Sequence, residues 1–202
     1  MKLYYLPAAC SLAANIALRE ASLKFELVKV DRQTKQAADG LDFKEVNPKG
    51  YVPALTLDSG ETLTENVAVL QYIADRNPAA KLAPPAGTME RYRLVEWLAF
   101  INSEIHKSFG PLFRKDAPDD TKNYARQNIT TRAGWLNSNL GARSFLMGEQ
   151  FTVADAYLFV VLSWGARAGI DLAQWPQLQG LVARVGARPN VIEALKSEGL
   201  VK

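Results

Sequence analysis

Cys10 and His106 are the only cysteine and the only histidine in 202 residues. Cys10 lies between the strand-like stretch Lys2-Leu3-Tyr4-Tyr5-Leu6 and residues 12–21, whose apolar positions recur at helical spacing. With Pro7-Ala8-Ala9 as a turn, the sulfur stands at the start of a helix. Backbone N–H groups without intrahelical partners and the positive end of the helix dipole both favour a thiolate there. The same spot binds anions in general. The chemistry suggested is that of sulfur, either of Cys10 itself or of a thiol held beside it. A lone cysteine is as often a small buried hydrophobe, so other residues must decide.

Three further positions can serve such chemistry. Glu65-Asn66 falls at a junction between strand and helix, where N–H groups would hold a carboxylate and Glu65 would pair with an ammonium. Together they suit the two opposite charges of an α-amino acid end. The commoner role for such a glutamate is to stabilise the helix dipole. Val52-Pro53 opens a strand; a cis bond would turn the Val52 backbone outward to pair with an extended peptide. The rarity of cis bonds favours an ordinary trans proline. His106 lies in a helical stretch, with Asn102 one turn before it and Ser103 and Lys107 paired one step round. This polar strip borders Val95, Leu98, Ile105 and Phe109, and such strips usually face solvent. One cysteine and one histidine cannot build a structural zinc site, and neither a phosphate loop nor a dinucleotide glycine pattern is present.

The elements that must position these residues change character midway. Residues 1–77 read as β-α-β-α-β-β-α, a thioredoxin-like order with parallel pairing first and a hairpin at Asp58-Ser59-Gly60-Glu61. The stiff stretch 78–87, with Pro84-Pro85-Ala86-Gly87, reads as a linker. Residues 88–202 read as an all-helical domain, with helices over about 88–114, 119–140, 152–166, 175–186 and 189–198. The fold class is thus α/β plus all-α. Thr152 and Asp155 form a capping-box variant that nucleates a buried helix and does no chemistry. The composition is 48% hydrophobic and 22% charged, with a net charge of +3 and no Lys/Arg cluster, so nothing supports nucleic-acid binding. No apolar run reaches the roughly 18 residues of a membrane span. A single cysteine fits a reducing, cytoplasmic setting.

These pieces coincide in one family. The sequence resembles bacterial beta-class glutathione S-transferases along essentially its whole length. The resemblance rests on Met1-Lys2-Leu3-Tyr4-Tyr5, Ala9-Cys10-Ser11-Leu12, residues 46–55 with Val52-Pro53-Ala54-Leu55, Leu63-Thr64-Glu65, Gln71-Tyr72, Glu104-Ile105-His106-Lys107, residues 151–157 and Ala187-Arg188-Pro189. It implies a homodimer that uses glutathione as co-substrate and needs no metal. It implies that glutathione lies along the first domain, facing the helix of His106. Glu65 and the Asn66 backbone would hold the γ-glutamyl end, and Val52, before a cis Pro53, the cysteinyl unit. Lys35, His106 and Lys107 would lie near the glycyl end or the thiol. Ser103 and Glu104 would reach glutathione from the partner subunit, and Cys10 would lie next to the glutathione sulfur. Two residues depart from the family pattern: Ala99 stands where asparagine is common, with Asn102 as its candidate replacement, and Asn66 where glycine or serine is common.

The activity implied is addition of the glutathione thiolate to an apolar electrophile, with Cys10 and His106 as the catalytic candidates. The alternatives are glutathione-dependent thiol–disulfide exchange through Cys10, and a non-enzymatic binding or regulatory protein of the same fold.

Overall fold

In the computed structural model, which describes residues 1–202, the sheet is built on the first strand. The chain runs β1 (Lys2–Tyr5), α1 (Ser11–Glu20), β2 (Glu26–Lys29), α2 (Phe43–Val46), β3 (Ala54–Thr56), β4 (Thr62–Thr64) and α3 (Asn66–Arg76). The strand order is β2-β1-β3-β4. β1 and β2 are parallel, with Tyr4 opposite Val28. β1–β3 and β3–β4 are antiparallel. The helical crossover explains the parallel pair, and Gly60 at φ +88° closes the tight β3–β4 hairpin.

Strand alternation divides the core. Tyr4, Val28 and Ala54 join Val30, Ala37 and Phe43 on one face. Leu3 and Leu55, on the other face, are fully buried, as are Leu12, Ile16, Leu70 and Ile73 of α1 and α3. The strand expected from Val52 onward begins at Ala54, because Pro53 has no N–H to give to a ladder.

Contacts divide the chain into residues 1–83 with 188–202, and residues 84–187. The last fifteen residues thus group with the sheet, whereas the sequence reading left them in the helical domain. The reason is specific. The closing helix packs on α1, and Arg188 forms a two-pronged bond to Glu20 at 2.7 and 2.9 Å, with Asn190 adding a third bond at 3.3 Å.

The second unit is helical. α4 (Met89–Phe100), capped by Thr88, continues without a break into a π-helical turn, Ile101–His106. α5 (Lys107–Phe109) and a 3₁₀ turn, Gly110–Phe113, complete it. Then come α6 (Asp119–Leu140), α7 (Val153–Ser163), α8 (Gly165–Ala168) and α9 (Pro176–Gly186); the closing helix of the chain, α10, spans Pro189–Ser197. α7 is buried all round from Val153 to Leu162. Its start is fixed by Asp155, whose carboxylate accepts from Leu146 N–H, Thr152 N–H and Thr152 Oγ1, each at 2.8 Å. That is the structural role expected of the Thr152–Asp155 pair. No helix is long and apolar enough to cross a membrane.

Candidate functional site

In the first unit, three of the candidate residues meet. Cys10 is half-buried and is the N-cap residue of α1. Its Sγ donates to the Val52 carbonyl at 3.3 Å, and Asn66 Nδ2 donates to the Cys10 carbonyl at 3.1 Å. The starts of α1 and α3 are thereby tied together, and the Val52–Pro53 bond is cis. Rarity alone favours trans, whereas the family resemblance implies the cis bond that is found.

The surroundings of the sulfur differ from expectation. Two N–H groups of the first turn are already used, Leu12 by the Ala9 carbonyl and Ala13 by the Cys10 carbonyl, at 3.0 and 3.1 Å. The sulfur bonds instead as a thiol, to a carbonyl that Pro53 leaves outside the β3 ladder. Such a bond holds the proton on the sulfur and opposes the dipole.

Glu65 precedes α3 at φ +68°, a left-handed conformation costly for a residue with a side chain, and its carboxylate is exposed. Lys49 Nζ pairs with it and also donates to Thr64 Oγ1 at 2.8 Å. No side chain caps α3. Asn66 is 5% exposed, and its Oδ1 is buried without a hydrogen-bond partner. Lys35, also left-handed at φ +61°, donates to the Gly50 carbonyl at 3.3 Å, on the segment that leads to Val52.

In the second unit, the polar strip is not a solvated face throughout. His106 Nδ1 and the Tyr157 hydroxyl are 2.6 Å apart, and that hydroxyl donates to Asn102 Oδ1 at 3.0 Å. With the tyrosine proton on Asn102, the proton of the shorter contact belongs to Nδ1, and Nε2 keeps its lone pair. The ring also packs edge-on against Tyr157 and Trp164, with centroids 5.8 and 5.0 Å away. Burial, with the Lys107 charge adding to it, lowers His106 from 6.5 to about 4. The imidazole is therefore neutral at pH 7. Lys107 is exposed. Glu104 is bonded to Arg132 at 2.9 Å, while Ser103 points to solvent. Ala99 is exposed as well, and Asn102 is held by Tyr157.

Sequence reasoning gave no role to Tyr157, Trp164 or Asn15. Tyr157 carried a signal: a hydroxyl inside the apolar run from Ala156 to Leu162 needs a partner. Asn15 carried the same signal, as the one polar residue of a buried apolar run.

A family described as "Glutathione S-transferase, N-terminal domain" matches residues 1–75, and "Glutathione S-transferase, C-terminal domain" matches residues 103–198. Glutathione S-transferase GstA of Escherichia coli O157:H7 is 44% identical over 200 residues, covering 99% of this chain and all of that protein. The beta-class enzyme of Sphingomonas chungbukensis is 52% identical at a TM-score of 0.96, with both chains covered fully. A sphingomonad glutathione S-transferase, solved in complex with glutathione, is 50% identical at the same TM-score and coverage. Sequence and fold agree, and the chain belongs to the glutathione S-transferase family, in its bacterial beta class.

Proposed function

We propose that the chain binds glutathione at the joined starts of α1 and α3 and conjugates it to apolar electrophiles. The exposed Glu65 carboxylate beside the uncapped start of α3 carries this reading. An amino-acid end needs acceptors for its ammonium and donors for its carboxylate. Glu65 is the acceptor, and the uncapped start of α3 supplies donors. Lys49 guards Glu65 until the ammonium replaces it. The cysteinyl backbone pairs with Val52 before Pro53, which brings the glutathione sulfur beside Cys10, and Lys35 serves the glycyl carboxylate.

In the reaction, the glutathione thiolate attacks an electrophilic carbon. A carbon–sulfur bond forms, and a leaving group such as chloride departs with its electron pair. Lys107 supplies positive charge for the thiolate, while neutral His106, oriented by Tyr157 and Asn102, offers Nε2 as an acceptor for the thiol hydrogen. The resemblance implies that these residues serve the same glutathione. Phe109, Phe113 and Trp164 form a ring cluster suited to an apolar substrate. The working form is a cytoplasmic homodimer, supported by the exposed Met89, Tyr92 and Trp135 and by the family match at Ser103 and Glu104. Incubation with glutathione and a chlorinated nitroaromatic tests the activity. Enzyme-dependent thioether and chloride in equal amounts are expected; reaction at the uncatalysed rate refutes it.

A further inference from the structure

Glu198, just past α10, is 6% exposed and 188 positions from Cys10, yet it bonds directly to the turn that carries the sulfur. Its Oε2 accepts the Ala8 N–H at 3.1 Å. Its Oε1 accepts Asn15 Nδ2, also at 3.1 Å, and Asn15 is completely buried in α1. Asn15 is oriented in turn by Arg19, whose Nε donates to Asn15 Oδ1 at 2.9 Å, and its Nδ2 reaches Ser197 Oγ at 3.2 Å. All of these residues belong to the first unit.

Ala8 is left-handed, with φ +58°. An alanine holds that conformation only where neighbours impose it. On its two sides, the Ala9 N–H bonds the Leu6 carbonyl at 3.1 Å and Ser11 Oγ closes on Leu6 at 3.3 Å. The Glu198 carboxylate adds a restraint on the Ala8 amide itself. Burying a carboxylate with no cation in direct contact is costly. An apolar side chain would fill the same space at less cost, so the charge is there for the bonds it makes.

We propose that Glu198 is a positioning residue for Cys10: through the Ala8 amide and Asn15 it fixes the turn that presents the sulfur at the head of α1. The ionised carboxylate accepts both bonds, whereas the protonated acid turns one oxygen into a donor. Burial raises Glu198 to about 7, offset in part by Asn15, the Ala8 amide and Arg19. The other titratable group facing it is Tyr5, which burial, and then Glu198, pushes up. The restraint is therefore complete above neutral pH and relaxes as pH falls through about 7.

The role in conjugation rests on glutathione meeting Cys10, but the test does not. Cys10 is the only cysteine, so alkylation by iodoacetamide reads this sulfur alone, without glutathione. In Glu198→Ala the Ala8 amide should exchange roughly tenfold faster, and the pH profile of Cys10 alkylation should shift. Glu198→Gln keeps one acceptor and should remove the inflection near neutral pH while retaining a protected Ala8 amide. Asn190→Ala, which loosens the far end of the same helix at Glu20, should leave the alkylation profile unchanged. A profile unaltered in Glu198→Ala, or altered equally in Asn190→Ala, overturns the proposal. Should Glu198→Ala not fold, the wild-type Ala8 amide must titrate together with the Glu198 carboxyl in nuclear magnetic resonance spectra. Independent behaviour of the two also overturns it.

Discussion

At Cys10 two influences oppose each other. The helix start favours a thiolate, and the Val52 carbonyl holds the thiol. Conjugation uses the sulfur of glutathione, so Cys10→Ala should keep much of that activity, because the helix is unchanged. Disulfide exchange uses Cys10 itself: its thiolate attacks oxidised glutathione, forms the mixed disulfide and expels a glutathione thiolate. That reaction should vanish in Cys10→Ala, with mass spectrometry showing no glutathione adduct. Loss of conjugation with normal glutathione binding would instead give Cys10 a direct catalytic role. His106 yields a prediction of opposite kind. Its pKa is about 4 in the fold against 6.5 ordinarily. The neutral ring therefore supports the fold above pH 6.5, and that support falls away as the unfolded chain takes up protons between 6.5 and 4. His106→Asn should flatten this part of the curve of urea stability against pH. Residue types and spacing point to Cys10, Glu65 and His106 as candidates. The Tyr157 bridge was not legible, because it joins residues 51 positions apart, through packing of two helices that local spacing does not encode.

Among the elements, α7 depends most on one side chain. Asp155 accepts three bonds while buried, and burial pushes it up to about 6 in spite of them. Asp155→Ala leaves the Leu146 and Thr152 donors unpaired and should cost about 2–4 kcal/mol by urea unfolding. A loss below about 0.5 kcal/mol, the scale of an ordinary surface change, would show that α7 needs no such anchor. Asp155→Asn keeps one acceptor and should lose less. The helices and strands themselves were largely legible, since alternation in Val28-Lys29-Val30 and helical spacing in Asn66–Arg76 match the burial found. The π-helical turn at Ile101–His106 was not legible. Its residues favour helix of any kind, and only tertiary packing selects the wider turn that carries Asn102 and His106.

For the whole molecule, the break at Pro84-Pro85 was visible in composition, but the return of residues 188–202 to the first unit was not. Arg188 finds Glu20 across 168 positions, and neither residue stands out in its own segment. The proposed homodimer predicts a light-scattering mass near twice 22.3 kDa at micromolar concentration. A fully active monomer would contradict it. The central claim, glutathione held at the starts of α1 and α3, is tested most directly by titration calorimetry of the intact protein. Wild type should bind one glutathione per chain, and Glu65→Ala should bind it about 1–3 kcal/mol more weakly, the scale of a lost charged hydrogen bond. Equal affinity in the two proteins would contradict the claim.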